Sequence, residues 1–353
     1  MQSLNMTGRR EGASSRGLGL LTLALVIAIP GVAIRSAPPA AQRLKFASQA
    51  PERSAWGKAL AAVAGDVERE SSGQVKLKFY PGGVQGDERT VLRKLRIGQL
   101  HGAVLIGHGV TQVCPSSLVL SLPMLFQNTE EASHVFEKMR PEFEEHCRKA
   151  GYEVLGWPEF GFSYLFSQRE VMTIAVLRDS KPWLIENDPM SENLYDALKI
   201  NPVPTGIANV LPSLQTGLIR TIFAPPAGLV AMQWHTRVKY HLDVRLTYSM
   251  GTIVITKKRW GRLAPKTQEL LKRVTAKRNA ELSIRIRRQN REAMDVIRRN
   301  GVETIQIVPD SREMLAQARD QVGERLVGKY YSRQMLEKVK KLLDEYRASA
   351  KNQ

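Results

Sequence analysis

The chain is poor in the residues and motifs that carry enzyme chemistry. It holds no G-x-S-x-G elbow, no P-loop, no H-E-x-x-H and no C-x-x-C, so no nucleophile elbow, phosphate cradle or metal motif is legible. The six histidines (101, 108, 134, 146, 235, 241) show no metal-ligand spacing, and His235 and His241 lie six apart, on different faces of any helix. No catalytic residue, metal or cofactor is therefore expected, and the chain is not expected to be an enzyme. Cysteine is scarce: Cys114 and Cys147 are the two present, and the sequence leaves open one bridge or two buried thiols. No repeats and no low-complexity linkers occur. After the first forty residues no run is apolar enough to cross a membrane.

What is present begins with a targeting pattern. Arg9, Arg10 and Arg16 form a basic head, Leu18 to Ile34 is apolar, and small residues follow at 33, 37, 40 and 41. That is the layout of a secretory signal, with cleavage after Ala33 or near Ala41. The run is short for a spanning helix, so a cleaved, exported chain is expected, and the paired arginines leave the export route open. The formal charge is +18; beyond residue 41 there are 48 basic and 33 acidic residues, a net of +15, concentrated between Lys257 and Arg299. Export argues against nucleic acid as the partner. A solvated helix face or an anionic membrane surface accounts for the charge instead.

The periodicities alternate between strand and helix. Leu44 to Ala47 reads as a strand, and Leu60, Val63 and Val67 recur at helical spacing behind Ser54. Val75, Leu77 and Phe79 alternate with lysines. Pro81-Gly82-Gly83-Val84-Gln85-Gly86-Asp87-Glu88 is a glycine turn opening a helix with Val91, Leu92 and Leu95 inward, and Ala103 to Gly107 reads as a buried strand. Further on, the pattern predicts helices over 130–150, 191–198, 210–217 and 228–240. It predicts strands over 152–157, 162–166, 183–185, 221–224 and 246–256. Between Pro265 and Asn300 there is neither proline nor glycine, which predicts one long helix spanning two domains. A last strand at Val302 to Ile307 precedes helix over 311–350, broken near Gly328. The class is α/β, and a chain this long is expected to form two domains.

Several pieces in this order resemble the TRAP transporter solute-binding proteins, the DctP-like periplasmic receptors. They are Gln49 to Trp56, the glycine turn, Ile97 to Ala103, Leu122-Pro123-Met124-Leu125-Phe126, Gly151 to Trp157, Asn201 to Pro204, Leu214-Gln215-Thr216-Gly217, and Trp260 to Pro265. The resemblance covers nearly the whole exported chain. It implies a two-lobed clamshell with a long bridging helix: a signal over 1–41, lobe I over 42–160 and about 250–290, lobe II over 161–249 and about 291–330, and a C-terminal helix over 331–353. It implies a receptor that captures a small molecule between its lobes in the periplasm and delivers it to integral-membrane TRAP permease subunits. A periplasmic carrier or sensor subunit, presenting its ligand to a signalling protein or enzyme, needs the same clamshell.

The departures bear on the ligand. Where the family fixes a carboxylate with arginines, this chain has Ser163 after Gly161-Phe162 and Trp183 in Lys181-Pro182-Trp183, and Ala224 stands where a polar asparagine is usual. A bidentate arginine is the natural carboxylate clamp. Its absence predicts a neutral or largely apolar ligand in a cleft lined by Phe160, Phe162, Tyr164, Trp183 and Phe223. Arg220 and Arg237 are the arginines that would restore acid binding if they reached the cleft. His108, after a buried strand, is either a ligand contact or a solvated loop histidine. Gln49 and Gln85 complete the candidate set, while Asp87 and Glu88 read as turn and helix-cap groups.

Overall fold

The computed structural model describes residues 41–351. The expected export signal, apart from Ala41, lies outside them. The strands are β1 (Gln42–Ser48), β2 (Val75–Tyr80), β3 (Gly102–Leu105), β4 (Tyr152–Gly156), β5 (Glu159–Ser167), β6 (Trp183–Ile185), β7 (Val203–Thr205), β8 (Thr221–Ala224), β9 (Tyr240–Met250), β10 (Thr252–Thr256) and β11 (Glu303–Ile305). The helices are α1 (Ala55–Glu70), α2 (Glu88–Arg96), α3 (Gly107–Val113), α4 (Thr129–Lys149), α5 (Ile174–Asp179), α6 (Pro189–Ala197), α7 (Val210–Thr216), α8 (Pro226–Ala231), α9 (Lys257–Trp260), α10 (Pro265–Arg299), α11 (Pro309–Leu326) and α12 (Arg333–Lys351). Among the described residues no helix is long and apolar enough to cross a membrane.

Local chemistry explains the helix starts. Ser54 caps α1 by accepting from the Gly57 N–H, Asp87 caps α2 through Thr90, and Asn128 caps α4 through Glu131. The strands assemble into two sheets. The first has the order β2-β1-β3-β10-β4, with β1, β2 and β3 parallel and β10 antiparallel to both neighbours. The second has the order β11-β9-β5-β8, and the β6–β7 pair joins its β8 edge through a bridge between Pro182 and Thr221. These are the two lobes. Two connections cross between them: β4 runs into β5, and β9 turns at Gly251 into β10. The Gly251 N–H donates to the Pro158 carbonyl at 2.8 Å, so both crossings bend at one place.

Helix α10 spans the lobes as its unbroken sequence predicts. Leu271 and Val274 enter the apolar core over the first sheet with Leu44, Val63 and Val67, while Ile297, near its other end, enters the core over the second with Phe166 and Ile222. The helix expected over 228–240 is not formed. The chain leaves α8, passes through Gln233 at φ +59° and a short 3-10 turn at Trp234–Arg237, and enters β9. Leu242 and Val244 are buried and Asp243 and Arg245 exposed, the period of two that identifies a strand. β7 and α3 were not legible at all, both being short and weakly patterned.

Cys114 and Cys147 are joined, with Cα atoms 4.6 Å apart at a sequence separation of 33. The bridge ties the end of α3 to the last turn of α4. A loop of that length is worth about 3–4 kcal/mol in the chain-entropy account. The Cys114→Ser/Cys147→Ser variant is therefore expected to unfold at clearly lower denaturant with its secondary structure intact, which circular dichroism during urea titration checks. An unchanged midpoint would contradict the assignment.

Candidate functional site

The parallel strands β1 and β3 end side by side, and in open α/β sheets ligands bind beyond such ends. The glycine turn folds over the end of β1. Gly82 and Gly83 N–H groups donate to the Ala50 and Ser48 carbonyls at 2.9 and 3.1 Å. Gly82 and Gly83 have φ of +62° and +73°, a backbone other residues rarely adopt. A side chain at Gly83 would also stand 2.8 Å from the Gln49 Oε1 atom. Gln49 fastens the turn by donating to the Gly86 carbonyl at 2.8 Å. Gln85 faces elsewhere: its own carbonyl and its side-chain oxygen both accept from Lys94 Nζ.

At the end of β3 the chain turns into α3 over the carboxylate of Glu88. Its two oxygens accept from the Ile106 and Gly109 N–H groups at 2.6 and 2.7 Å. Asp87 is the helix cap, so Glu88 is free to hold the strand end. Only an 18-residue separation and the fold make this contact, which is why the sequence suggests a cap and nothing more. Burial pushes the Glu88 carboxyl up to about 7 against the pull of these two bonds. Its folded value lies above the ordinary 4.5, so its contribution is fully present below about pH 4.5 and is lost as pH rises through about 7. In urea unfolding at a series of pH values, the stability difference between wild type and Glu88→Gln is expected to fall over that window; a constant difference would contradict this reading.

The two lobes touch beside His108. Arg89 at the start of α2 donates to Asn187, which follows β6. Asp188 caps α6 through the Ser191 N–H at 3.0 Å. Burial pushes its carboxyl up, while the Ser191 hydrogen bonds and, more weakly, the His108 charge pull it down. His108 is the second residue of α3, whose first turn the Glu88 carboxylate holds.

Phe160 belongs to the same region. Its ring stacks on Trp56 at 4.9 Å and 19°. A Cβ at Gly251 would lie 3.0 Å from Phe160 Cε2 and 3.4 Å from the Ile106 side chain, so the ring abuts the end of β3. The Trp56 Nε1 donor is buried without a partner. Asn290 of α10 pins the strand, donating to the Phe160 carbonyl at 2.9 Å and accepting from the Ala227 N–H at 3.0 Å.

The remaining aromatics do not form the single wall expected of them. Alternation alone would set Phe160, Phe162 and Tyr164 on one face of β5, but register breaks at 159/161 and 163/165 interrupt it. Phe162 is buried edge-on to Tyr248 at 5.0 Å, and Tyr164 lies edge-on to His241 at 5.1 Å. Trp183 is 2% exposed, in the core of lobe II. It packs on Phe223 and Trp234 at 5.6 and 5.4 Å and donates its Nε1–H to the Thr205 carbonyl at 2.9 Å. Ser163 is buried on β5 opposite Thr247, and Ala224 pairs with Tyr164. Arg220 stands at the opposite end of β8 from Ala224, and Arg237 ends the 3-10 turn before β9. Beside Phe223 a cavity of about 30 Å³ remains, walled by Leu165, Met190, Tyr195 and Leu246.

Residues 46–329 match the family model described as bacterial extracellular solute-binding protein, family 7. The 2,3-diketo-L-gulonate-binding periplasmic protein YiaO of Escherichia coli (strain K12) is 25% identical over 237 residues, 66% of this chain and 71% of that protein. The sialic acid-binding periplasmic protein SiaP of Vibrio cholerae is 20% identical over 283 residues, 79% of this chain and 87% of that protein. Among solved structures, a TRAP periplasmic solute binding protein from Ochrobactrum anthropi, its C-terminus bound in its ligand-binding pocket, aligns with a TM-score of 0.79 and 22% identity over 88% of this chain and 98% of its own. One from Xanthobacter autotrophicus Py2 with bound β-D-galacturonate aligns with a TM-score of 0.77 and 16% identity over 85% and 99%.

Proposed function

The chain belongs to the bacterial extracellular solute-binding proteins of family 7, and from that premise we propose that it is a periplasmic TRAP-type receptor for a neutral or largely apolar ligand. It binds and delivers its cargo to membrane permease subunits and catalyses nothing. Lobe I is assigned to residues 42–160 and about 250–290, lobe II to 161–249 and about 291–330. The cleft lies where β1, β3 and the start of β5 meet lobe II. Gln49, His108 and Phe160 are the contacts we assign from lobe I, with Ser163, Phe223 and Ala224 across it.

The observation that carries the ligand class is the absence of an arginine at the anchor positions 163, 183 and 224. Relatives of this fold hold galacturonate, glucuronate or orotic acid, and a carboxylate calls for a fixed guanidinium. Here Ser163, Trp183 and Ala224 supply none, Trp183 has spent its polar group on Thr205, and Arg220 lies at the far end of β8. The stacked Phe160 and Trp56 offer apolar area and one free indole N–H instead, which suits a ligand with an aromatic or aliphatic body and an oxygen acceptor.

Entry and release of the ligand would part the lobes at the Pro158–Gly161 and Gly251 bends, where both crossing strands turn. Melting shifts against a panel of dicarboxylates, uronates and neutral apolar compounds test the reading. A matched ligand at a hundred times its Kd adds about 2.7 kcal/mol. Stabilisation by neutral apolar compounds is expected; a strong shift with simple acids and none with apolar compounds would overturn it.

A further inference from the structure

A second concave site lies at the opposite end of the first sheet. β10 runs antiparallel to β3, so Thr252 pairs with Leu105 near the cleft and Ile255 pairs with Gly102 at the far end. There Thr256 pairs with Tyr152. The ends of α2 and α4, the start of β3 and the turn after α9 enclose a groove of about 390 Å³. Arg96, Lys258, Arg259, Arg262 and His101 line it, and among the described residues no carboxylate does.

The charges here are all of one sign and gathered on one concave surface. Four of the protein's buried carboxylates each hold an arginine: Asp66 with Arg278, Glu131 with Arg347, Glu153 with Arg148 and Glu159 with Arg287. Among the described residues Arg96, Lys258, Arg259 and Arg262 have no ion-pair partner. The Arg259 Nε–H is buried with no acceptor, which native structures rarely tolerate unless a ligand or water completes it. Two helix C-termini meet the groove, but each is worth only about half a negative charge, well short of four cations. His101 feels the surplus: burial, and then the neighbouring Arg259 and Lys45 charges, hold its imidazole below the usual range. Its Nδ1 accepts from the Lys45 N–H at 3.1 Å, which leaves the ring proton on Nε2 as a donor.

We propose that this groove is a binding site for a phosphate-class oxyanion, separate from the solute cleft. Planar guanidinium forks around a concave groove match phosphate oxygens in charge and geometry, and the volume admits one or two phosphate groups. The same chemistry is presented by a soluble phosphate and by the headgroup of an anionic phospholipid. The site does not depend on the ligand assigned to the cleft.

Calorimetric titration of the purified protein with inorganic pyrophosphate, and its cosedimentation with phosphatidylglycerol against phosphatidylcholine vesicles, test the site and separate the two sources. Binding of pyrophosphate, or selective binding to phosphatidylglycerol, is expected. Arg96→Ala/Arg262→Ala removes two exposed side chains that leave the fold intact, and is expected to weaken binding by roughly tenfold or more. Arg285→Ala/Arg291→Ala, which removes the same charge from the exposed face of α10, is expected to leave binding unchanged. Binding of neither probe, or an equal loss in both variants, would overturn the site.

Discussion

Truncating Trp183 to alanine is expected to destabilise the protein by about 3–5 kcal/mol, the cost of emptying a well-packed aromatic site. The indole is enclosed by Phe223 and Trp234, and its N–H is satisfied by the Thr205 carbonyl. Removing it therefore leaves both a cavity and an unpaired acceptor at the β7 edge. Denaturant titration without ligand is the decisive comparison. A tryptophan that merely walled the cleft would leave that midpoint almost unchanged and alter only ligand affinity. Trp183→Phe, which keeps most of the volume and loses the hydrogen bond, is expected to fall between wild type and alanine. The distinction matters because the same residue stands where an arginine clamp is expected, and a structural indole there closes that position to a carboxylate.

The second large effect is expected at Arg287, the strut between α10 and the crossing strand. Its Nε atom donates to both Glu159 oxygens at 3.2 and 3.0 Å, and one of its terminal nitrogens donates to Ser133 at 2.9 Å. Glu159 is 3% exposed, so Arg287→Ala strands a buried carboxylate where β4 passes into β5. Breaking an enclosed pair costs about 3–5 kcal/mol, and the partly exposed guanidinium lowers the expectation to about 2–4 kcal/mol. Much of that penalty belongs to the orphaned charge. Arg287→Ala/Glu159→Gln is therefore expected to recover part of the loss in urea unfolding. A double variant as unstable as the sum of the two single ones would contradict this.

What the sequence made legible was local. Helix caps at Ser54 and Asp87, the alternation through Val75 to Phe79, the glycine turn and the unbroken stretch from Pro265 to Arg299 each announce themselves within a few residues, and together they match the observed elements. The 228–240 stretch misleads because α8, a 3-10 turn and the start of β9 follow one another too closely for a single period to emerge. The site was less legible, since its contacts are made across the fold. Glu88 reaches the end of β3, Asn290 joins β5 to α8, and Arg89 meets Asn187 from the other lobe; no spacing in the chain marks any of these. Likewise, which face of β5 carries Phe160, Phe162 or Tyr164 is set by two register breaks that depend on β9. The aromatic residues expected to share one wall are dispersed by those breaks and by the placement of Trp183 and Phe223 on other strands.

The missing arginine clamp remains the centre of the account, and the most direct test is to identify what the cleft retains. Mass spectrometry of the small molecule that copurifies with the exported protein, released by denaturation, is expected to find a neutral compound with an apolar or aromatic body and no carboxylate. Recovery of a uronate or a dicarboxylate in stoichiometric amount would contradict it.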